Sequence, residues 1–259
     1  MFLLEPPRTQ FDLNFRIGSI PVRIHPFFWL VSLIMFASGG MSEANAPMLL
    51  AIWVGVVFFS ILIHELGHAV VMRYYGDHPS VVLYSFGGLA IPGGEGGGGF
   101  YDTGWRPRAR LTPIRKIQIS FAGPLAGFLV AAATIVLCQV ADVETYLEWR
   151  GSLPIPRAFV QEKPGLNALL NDILWVNLAW GLVNLLPIYP LDGGQIAREL
   201  FTLAQAPDGL RKSLYLSMFT AVGAAILMFS SGLGGFFVLL LFGSLAFSNW
   251  QMIQQMSRY

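Results

Sequence analysis

The chain has 259 residues, 54% of them hydrophobic and only 12% charged, and its formal net charge is +1. Soluble domains carry about 25% charged residues, so this composition excludes an ordinary water-soluble globule. The near-neutral balance excludes a nucleic-acid binder, whose footprint is a strongly basic face. A polytopic membrane protein is expected.

The N-terminal stretch MFLLEPPRTQFDLNFRIGSIPVRIHP has no long apolar core and is broken at Pro6, Pro7 and Pro21, so no cleavable signal is expected. Six apolar stretches follow, at residues 26–40, 47–74, 117–140, 168–189, 214–230 and 233–250. A helix needs about 20 mostly apolar residues to cross the hydrocarbon core, and the first and last stretches are short or irregular at their ends. Only SSGLGG joins the last two, which forces an antiparallel hairpin. Cys138 lies in an apolar run and reads as a packing residue.

Thirteen of the sixteen Lys and Arg residues fall in the N-terminal arm, the loops after the second and fourth stretches, and the tail. Arg150, Arg157 and Lys163 are the three on the opposite side. The positive-inside rule then predicts six spans with both termini in the cytoplasm. The second and fourth spans run in the same direction, and their C-terminal ends reach the cytoplasmic face together.

The second span carries ILIHELGHAVVMRYYG at residues 61–76. His64 and His68 lie one turn apart on one helix face, and Glu65 flanks that face. Two imidazoles at this spacing with an adjacent carboxylate form the H-E-x-x-H arrangement of two zinc ligands and a general base. Each ionisable group in a bilayer costs on the order of 2.5–3.5 kcal/mol, so three together are not a chance decoration. At about 1.5 Å per residue, the site lies roughly 12 Å inside the cytoplasmic end of the helix. Water must reach it through a polar cavity.

Catalytic zinc usually takes three protein ligands. In the fourth span, NDILWVNLAWGLVNLLPIYPLDGG, Asp172 lies at the outer end, some 30 Å of helix from Asp192. Asp192 is on the cytoplasmic side, after Pro187 and Pro190 disrupt the helix and before Gly193 and Gly194 free the backbone to turn. A broken helix at membrane depth is tolerated where it lines a cavity. Asp192 reads as the third ligand or as a cap for the QIARELF segment; its side of the membrane favours the ligand.

HELGH in one span and NLLPIYPLDGG in a later one resemble the site-2 protease family of intramembrane zinc metalloproteases, peptidase family M50. IGSIPVRIHPFF resembles the family's N-terminal strand, VVLYSFGGLA the glycine-bearing strand after the H-E-x-x-H helix, and FAGPLAGF its third-helix motif. The resemblance covers most of residues 15–200; the last hairpin matches in hydrophobicity alone. It implies one zinc ion held by His64, His68 and Asp192, Glu65 as catalytic acid/base, and Asn184 as a donor to the transition-state oxyanion. The implied fold is all-α with about six transmembrane helices and short membrane-associated β-strands. It forms a single domain over residues 1–259, with a catalytic core at about 15–200 and a C-terminal helical hairpin at 211–253. Family members often carry Asn where this chain has Gly127. No PDZ or CBS-type module fits in the chain, so control by one would need a separate regulatory protein.

The expected activity is hydrolysis of a peptide bond within or beside a transmembrane segment of a membrane-protein substrate. Cleavage would lie near the cytoplasmic face, and the expected location is the bacterial inner membrane. Residues 81–90 read either as an extended edge that pairs with an unwound substrate by strand addition or as a re-entrant structural hairpin. Gly93–Gly99 lacks the Lys-Ser or Lys-Thr of a phosphate loop and reads as a linker. The basic run from Trp105 to Lys116 reads as an anchor to anionic lipid. His25 and His78 border spans and read as interfacial hydrogen-bonding residues. The rival function is a membrane metal transporter, or an inactive metal-binding relative. A transporter needs polar residues on several helices and a path to both faces, whereas the last two spans offer only Ser213, Ser217, Thr220 and Ser244.

Overall fold

The computed structural model describes residues 6–38, 45–85, 87–93, 111–150, 153–230 and 236–256. The first half runs β1 (Leu13–Ile17), β2 (Ile20–Ile24), α1 (Pro26–Ser38), α2 (Ala46–Tyr74), β3 (Ser80–Tyr84), β4 (Gly87–Ile91) and α3 (Pro113–Val140). The second runs β5 (Glu144–Arg150), β6 (Leu153–Phe159), α4 (Pro164–Asn184), α5 (Asp192–Leu203), α6 (Gly209–Ser230) and α7 (Phe236–Met256). Proline marks the first turn of α2, α3 and α4, where its missing N–H would have no intrahelical partner. Thr112 caps α3 by accepting the N–H of Arg115.

Four helices, α2, α3, α4 and α6, are long and apolar enough to cross a membrane. The expectation of about six spans is therefore met for four. With 13 residues, α1 is about 20 Å long against a hydrocarbon core of about 30 Å. The last turns of α7 are spent on the polar run NWQMIQQM.

A four-stranded sheet of order β1-β2-β3-β4 lies beside this bundle, with β2 and β3 parallel and the outer pairs antiparallel. IPVRI and SVVLY supply the inner strands, and their β-branched residues are buried. Residues 81–90 form the β3–β4 hairpin rather than one extended strand, and β4 is the sheet edge. A second hairpin, β5–β6, joins α3 to α4; no reading of the sequence anticipated it. The Gly-rich run from residue 94 and the basic run through residue 110 lie outside the described residues.

Ile20, Val22 and Ile24 of β2 pack with Val81 and Leu83 of β3 against Val57, Ile61 and Ala69 of α2. This core fixes the sheet against the helix that carries the histidines. Arg23 of β2, 2% exposed, alternates with Val22 and Ile24 and so lies on the other face of the sheet. Its guanidinium donates to Asp12 Oδ2 at 3.0 Å and to the Pro6 carbonyl at 3.1 Å. Burial pushes the Asp12 carboxyl up, but hydrogen bonds from Thr9 and Arg23 hold it below its ordinary value. His25 accepts the N–H of Phe27 at 3.2 Å on Nδ1.

A second core joins Ile188, in the α4–α5 turn, to Ala221 of α6 and Phe242, Leu245 and Ala246 of α7. Two polar side chains hold the next residue of that turn. Ser217 of α6 accepts the Tyr189 N–H at 2.9 Å, and Asn249 of α7 donates to the Tyr189 carbonyl at 2.6 Å. Gly193 and Gly194 lie in the first turn of α5, and their role is close packing rather than a free turn. A Cβ at either would stand 2.1 or 2.3 Å from backbone atoms of residues 185–189.

Candidate metal centre

Ser60, His64 and His68, spaced by four, lie about one turn apart on one buried face of α2. Opposite them, the turn held by Ser217 and Asn249 delivers Asp192 at the start of α5. His64 Nε2 lies 3.1 Å from Asp192 Oδ2 and 3.2 Å from His68 Nε2, and His68 Nε2 lies 3.4 Å from Asp192 Oδ1. His64, Glu65, His68 and Asp192 are all buried. Asp192 does not cap α5: Leu191 holds the cap position and no side-chain cap bond is made.

The His68 ring is oriented by α3, since its Nδ1 lies 2.7 Å from the Ile119 carbonyl. A carbonyl only accepts, so Nδ1 carries the proton and Nε2 of the neutral ring presents a lone pair. That lone pair, His64 Nε2 and the Asp192 carboxylate then surround one point. Zinc bonds of about 2.0–2.1 Å in a tetrahedron imply donor separations of about 3.3 Å. The three separations, 3.1 to 3.4 Å, fit that donor set. Candidate ligand atoms of His64, Glu65 and His68 lie within 4.8 Å of one another.

Two glycines make room. A Cβ on Gly123 of α3 would stand 2.2 Å from His68 Nε2 and 2.8 Å from His64 Nε2, so α3 covers the histidines through a position without a side chain. A Cβ on Gly88 of β4 would stand 2.3 Å from Glu65 Cγ, and the Ala90 backbone hydrogen-bonds the Glu65 carboxylate. Edge strand β4 therefore runs directly over Glu65.

Of the other residues singled out in the sequence, Asn184 is the last residue of α4 and half-buried, and its amide has no hydrogen-bond partner among the described residues. Asp172 lies within α4, three turns before its end. Sequence reasoning missed Asn177, which is 3% exposed and donates from Nδ2 to Ser60 Oγ and the Ile173 carbonyl, each at 2.9 Å. A Cβ on Gly127 would lie 3.3 Å from the Asn177 carbonyl oxygen. An asparagine in an apolar span was the available signal.

Residues 150–230 match the sequence profile of peptidase family M50. The chain is 25% identical over 232 residues to zinc metalloprotease MJ0392 of Methanocaldococcus jannaschii, covering 89% of this chain and 56% of that protein. It is 32% identical over 240 residues to putative zinc metalloprotease Rip3 of Mycobacterium tuberculosis, covering 90% and 52%. The chain belongs to the site-2 protease family, peptidase family M50. It spans about half the length of these curated relatives. The solved site-2 protease from Methanocaldococcus jannaschii shares the fold, with a TM-score of 0.52 at 23% identity over 94% of this chain and 95% of that one. With its four apolar helices, this M50 member is an integral membrane protein.

Proposed function

We propose that the chain is a zinc-dependent intramembrane endopeptidase in which His64, His68 and Asp192 hold the ion and Glu65 is the catalytic acid/base. The observation that carries this reading is the convergence of three buried donor groups within 3.4 Å beside a fourth buried carboxylate. When bound, zinc supplies a Lewis acid toward a carbonyl oxygen and a water. Glu65 accepts the proton of the attacking water and delivers it to the leaving amine. Asn184, with its free amide, donates to the carbonyl oxygen as negative charge develops there. The Ile119 carbonyl keeps His68 in the tautomer that presents Nε2 to the ion.

The substrate is a transmembrane segment unwound near the cytoplasmic face. The outer edge of β4, running over Glu65, offers backbone groups for strand addition beside the reacting atoms. The reading includes six membrane segments, with α1 and α7 completing the set, both termini in the cytoplasm of a bacterial inner membrane, and control by a separate protein. Core and C-terminal hairpin act as one domain, because α6 and α7 hold the turn before Asp192. A transporter is disfavoured because the donor groups gather at one closed point rather than along a path.

Glu65→Gln tests the assignment. The purified variant is expected to keep its zinc and to lose cleavage of a model transmembrane substrate by at least about 100-fold. Wild-type cleavage by that variant overturns the role of Glu65. Zinc uptake by sealed vesicles without cleavage favours the transporter.

A further inference from the structure

Outside the metal centre, a cleft of about 480 Å³ lies between β1, the turn after it and the end of α2, lined by Asn14, Phe15, Arg16, Ser19, Arg73 and His78. Arg73 sits in the last turn of α2, where that helix leaves the apolar part of its span. The cleft thus stands at the membrane boundary. Neither Arg16 nor Arg73 forms an ion pair with another described residue. The nearby carboxylates are engaged elsewhere: Asp12 with Arg23 and Thr9, and Asp77 with the backbone N–H groups of His78 and Gly93. Arg73 donates to Ser19 Oγ, which draws its guanidinium toward the β1–β2 turn. Two unneutralised guanidiniums in one cleft repel each other, and an anion between them removes that cost.

The second observation concerns β1 and the turn that leads into it. Phe11, Leu13, Phe15 and Ile17 are 70%, 54%, 38% and 38% exposed. Leu13, Phe15 and Ile17 alternate along β1, so they share one face of the sheet's edge strand with their partners Ile24, Val22 and Ile20, and Phe11 lies in the turn before the strand. Such a row of large apolar residues marks contact with another apolar phase. Phe15 belongs both to this row and to the cleft. A ligand that suits the pair of features is anionic at one end and apolar at the other.

We propose that this cleft binds the phosphate of an acidic phospholipid between Arg16 and Arg73, with its acyl chains along Leu13, Phe15 and Ile17 of β1. A free phosphate would satisfy the guanidiniums but leave the apolar face uncovered. An acidic protein segment would bring no acyl chains to that face. Bound lipid ties the edge of the sheet to the bilayer at the end of α2, the helix that carries His64 and His68. The site is independent of the zinc chemistry.

The test uses the full chain purified in neutral detergent. Native mass spectrometry counts retained lipid as phosphatidylglycerol or phosphatidylcholine is titrated, with inorganic phosphate and an acidic peptide as competitors. Wild-type protein is expected to retain phosphatidylglycerol in preference to phosphatidylcholine, and neither competitor is expected to displace it. At about 1 kcal/mol per basic residue, Arg16→Gln with Arg73→Gln should weaken retention roughly 30-fold, while Arg16→Lys with Arg73→Lys keeps most of it. If the double glutamine variant does not fold, exposed Arg16→Gln alone should lower affinity about fivefold. Undiminished preference in whichever glutamine variant folds overturns the proposal. So does displacement by inorganic phosphate or by the peptide at concentrations equal to the lipid.

Discussion

Gly123→Ala adds one methyl group to the wall of the metal centre, and the geometry says where it goes. The new Cβ would stand 2.2 Å from His68 Nε2 and 2.5 Å from its Cε1, against an ordinary contact of at least 3.4 Å. Something must move by about 1.2 Å, the difference between those distances. The ring cannot easily retreat, because Nδ1 is held by the Ile119 carbonyl on the same helix that carries the new methyl. The cheaper response is for α3 and α2 to part, or for His68 to swing out of line with His64 and Asp192. Overpacking of this kind costs about 1–3 kcal/mol in stability. A misplacement of about 1 Å at reacting groups costs about 100-fold in rate, and disturbed ligand orientation costs about 10–100-fold in metal affinity. Zinc affinity measured by chelator competition, with cleavage of a model transmembrane substrate, should fall together. Gly223→Ala is the control: its Cβ meets no atom within 4 Å, so stability should be unchanged or raised by up to about 1 kcal/mol. A Gly123→Ala protein with wild-type zinc affinity and rate would refute the claim that α3 seals this site through a missing side chain.

Asn249→Leu should strip the Tyr189 carbonyl of its side-chain donor, lowering stability by about 1–3 kcal/mol; thermal unfolding and zinc titration together should register it, since Asp192 follows in the same turn. Asp12 has a folded pKa below its ordinary 3.8, so the unfolded state binds the proton more readily and stability rises with pH through that range. The Asp12 contribution should be fully present above about pH 4 and lost as pH falls through the lower folded value. Unfolding temperatures of wild type and Asp12→Asn should therefore differ at neutral pH and converge in acid. Dialysis against a chelator should abolish cleavage and lower the unfolding temperature, both restored by zinc, because a ligand bound only to the folded state stabilises it by mass action. Unchanged unfolding after verified metal removal would count against His64, His68 and Asp192 as the ligand set.

Much of this protein was readable from local chemistry. Apolar stretches of about span length, the i, i+4 histidines with Glu65, and the proline-broken run before Asp192 are all local patterns. Each depends only on neighbours in sequence, as helix periodicity and backbone restriction by proline do. Segment ends fell within four residues at 117–140 against α3, Pro113–Val140, but missed by five or six at the end of α4, the start of α6 and the end of α7. The weak points were the shorter elements. Strands of five to seven residues such as β5 and β6 carry no period distinct from a loop, and their pairing is decided by partners elsewhere in the chain.

The sequence by itself determined the class of molecule, the helix that presents two imidazoles and a carboxylate to one side, and the break that allows an aspartate to approach them. It could not determine the distances. Those depend on α3 lying close enough to touch His68 through Gly123, on the Ile119 carbonyl setting the tautomer, and on β4 crossing Glu65 at Gly88. Ser217 and Asn249 are unremarkable polar residues in apolar helices until the fold brings both to Tyr189. Their role is set by contacts between residues far apart in the chain, which pairwise packing decides and no local pattern encodes.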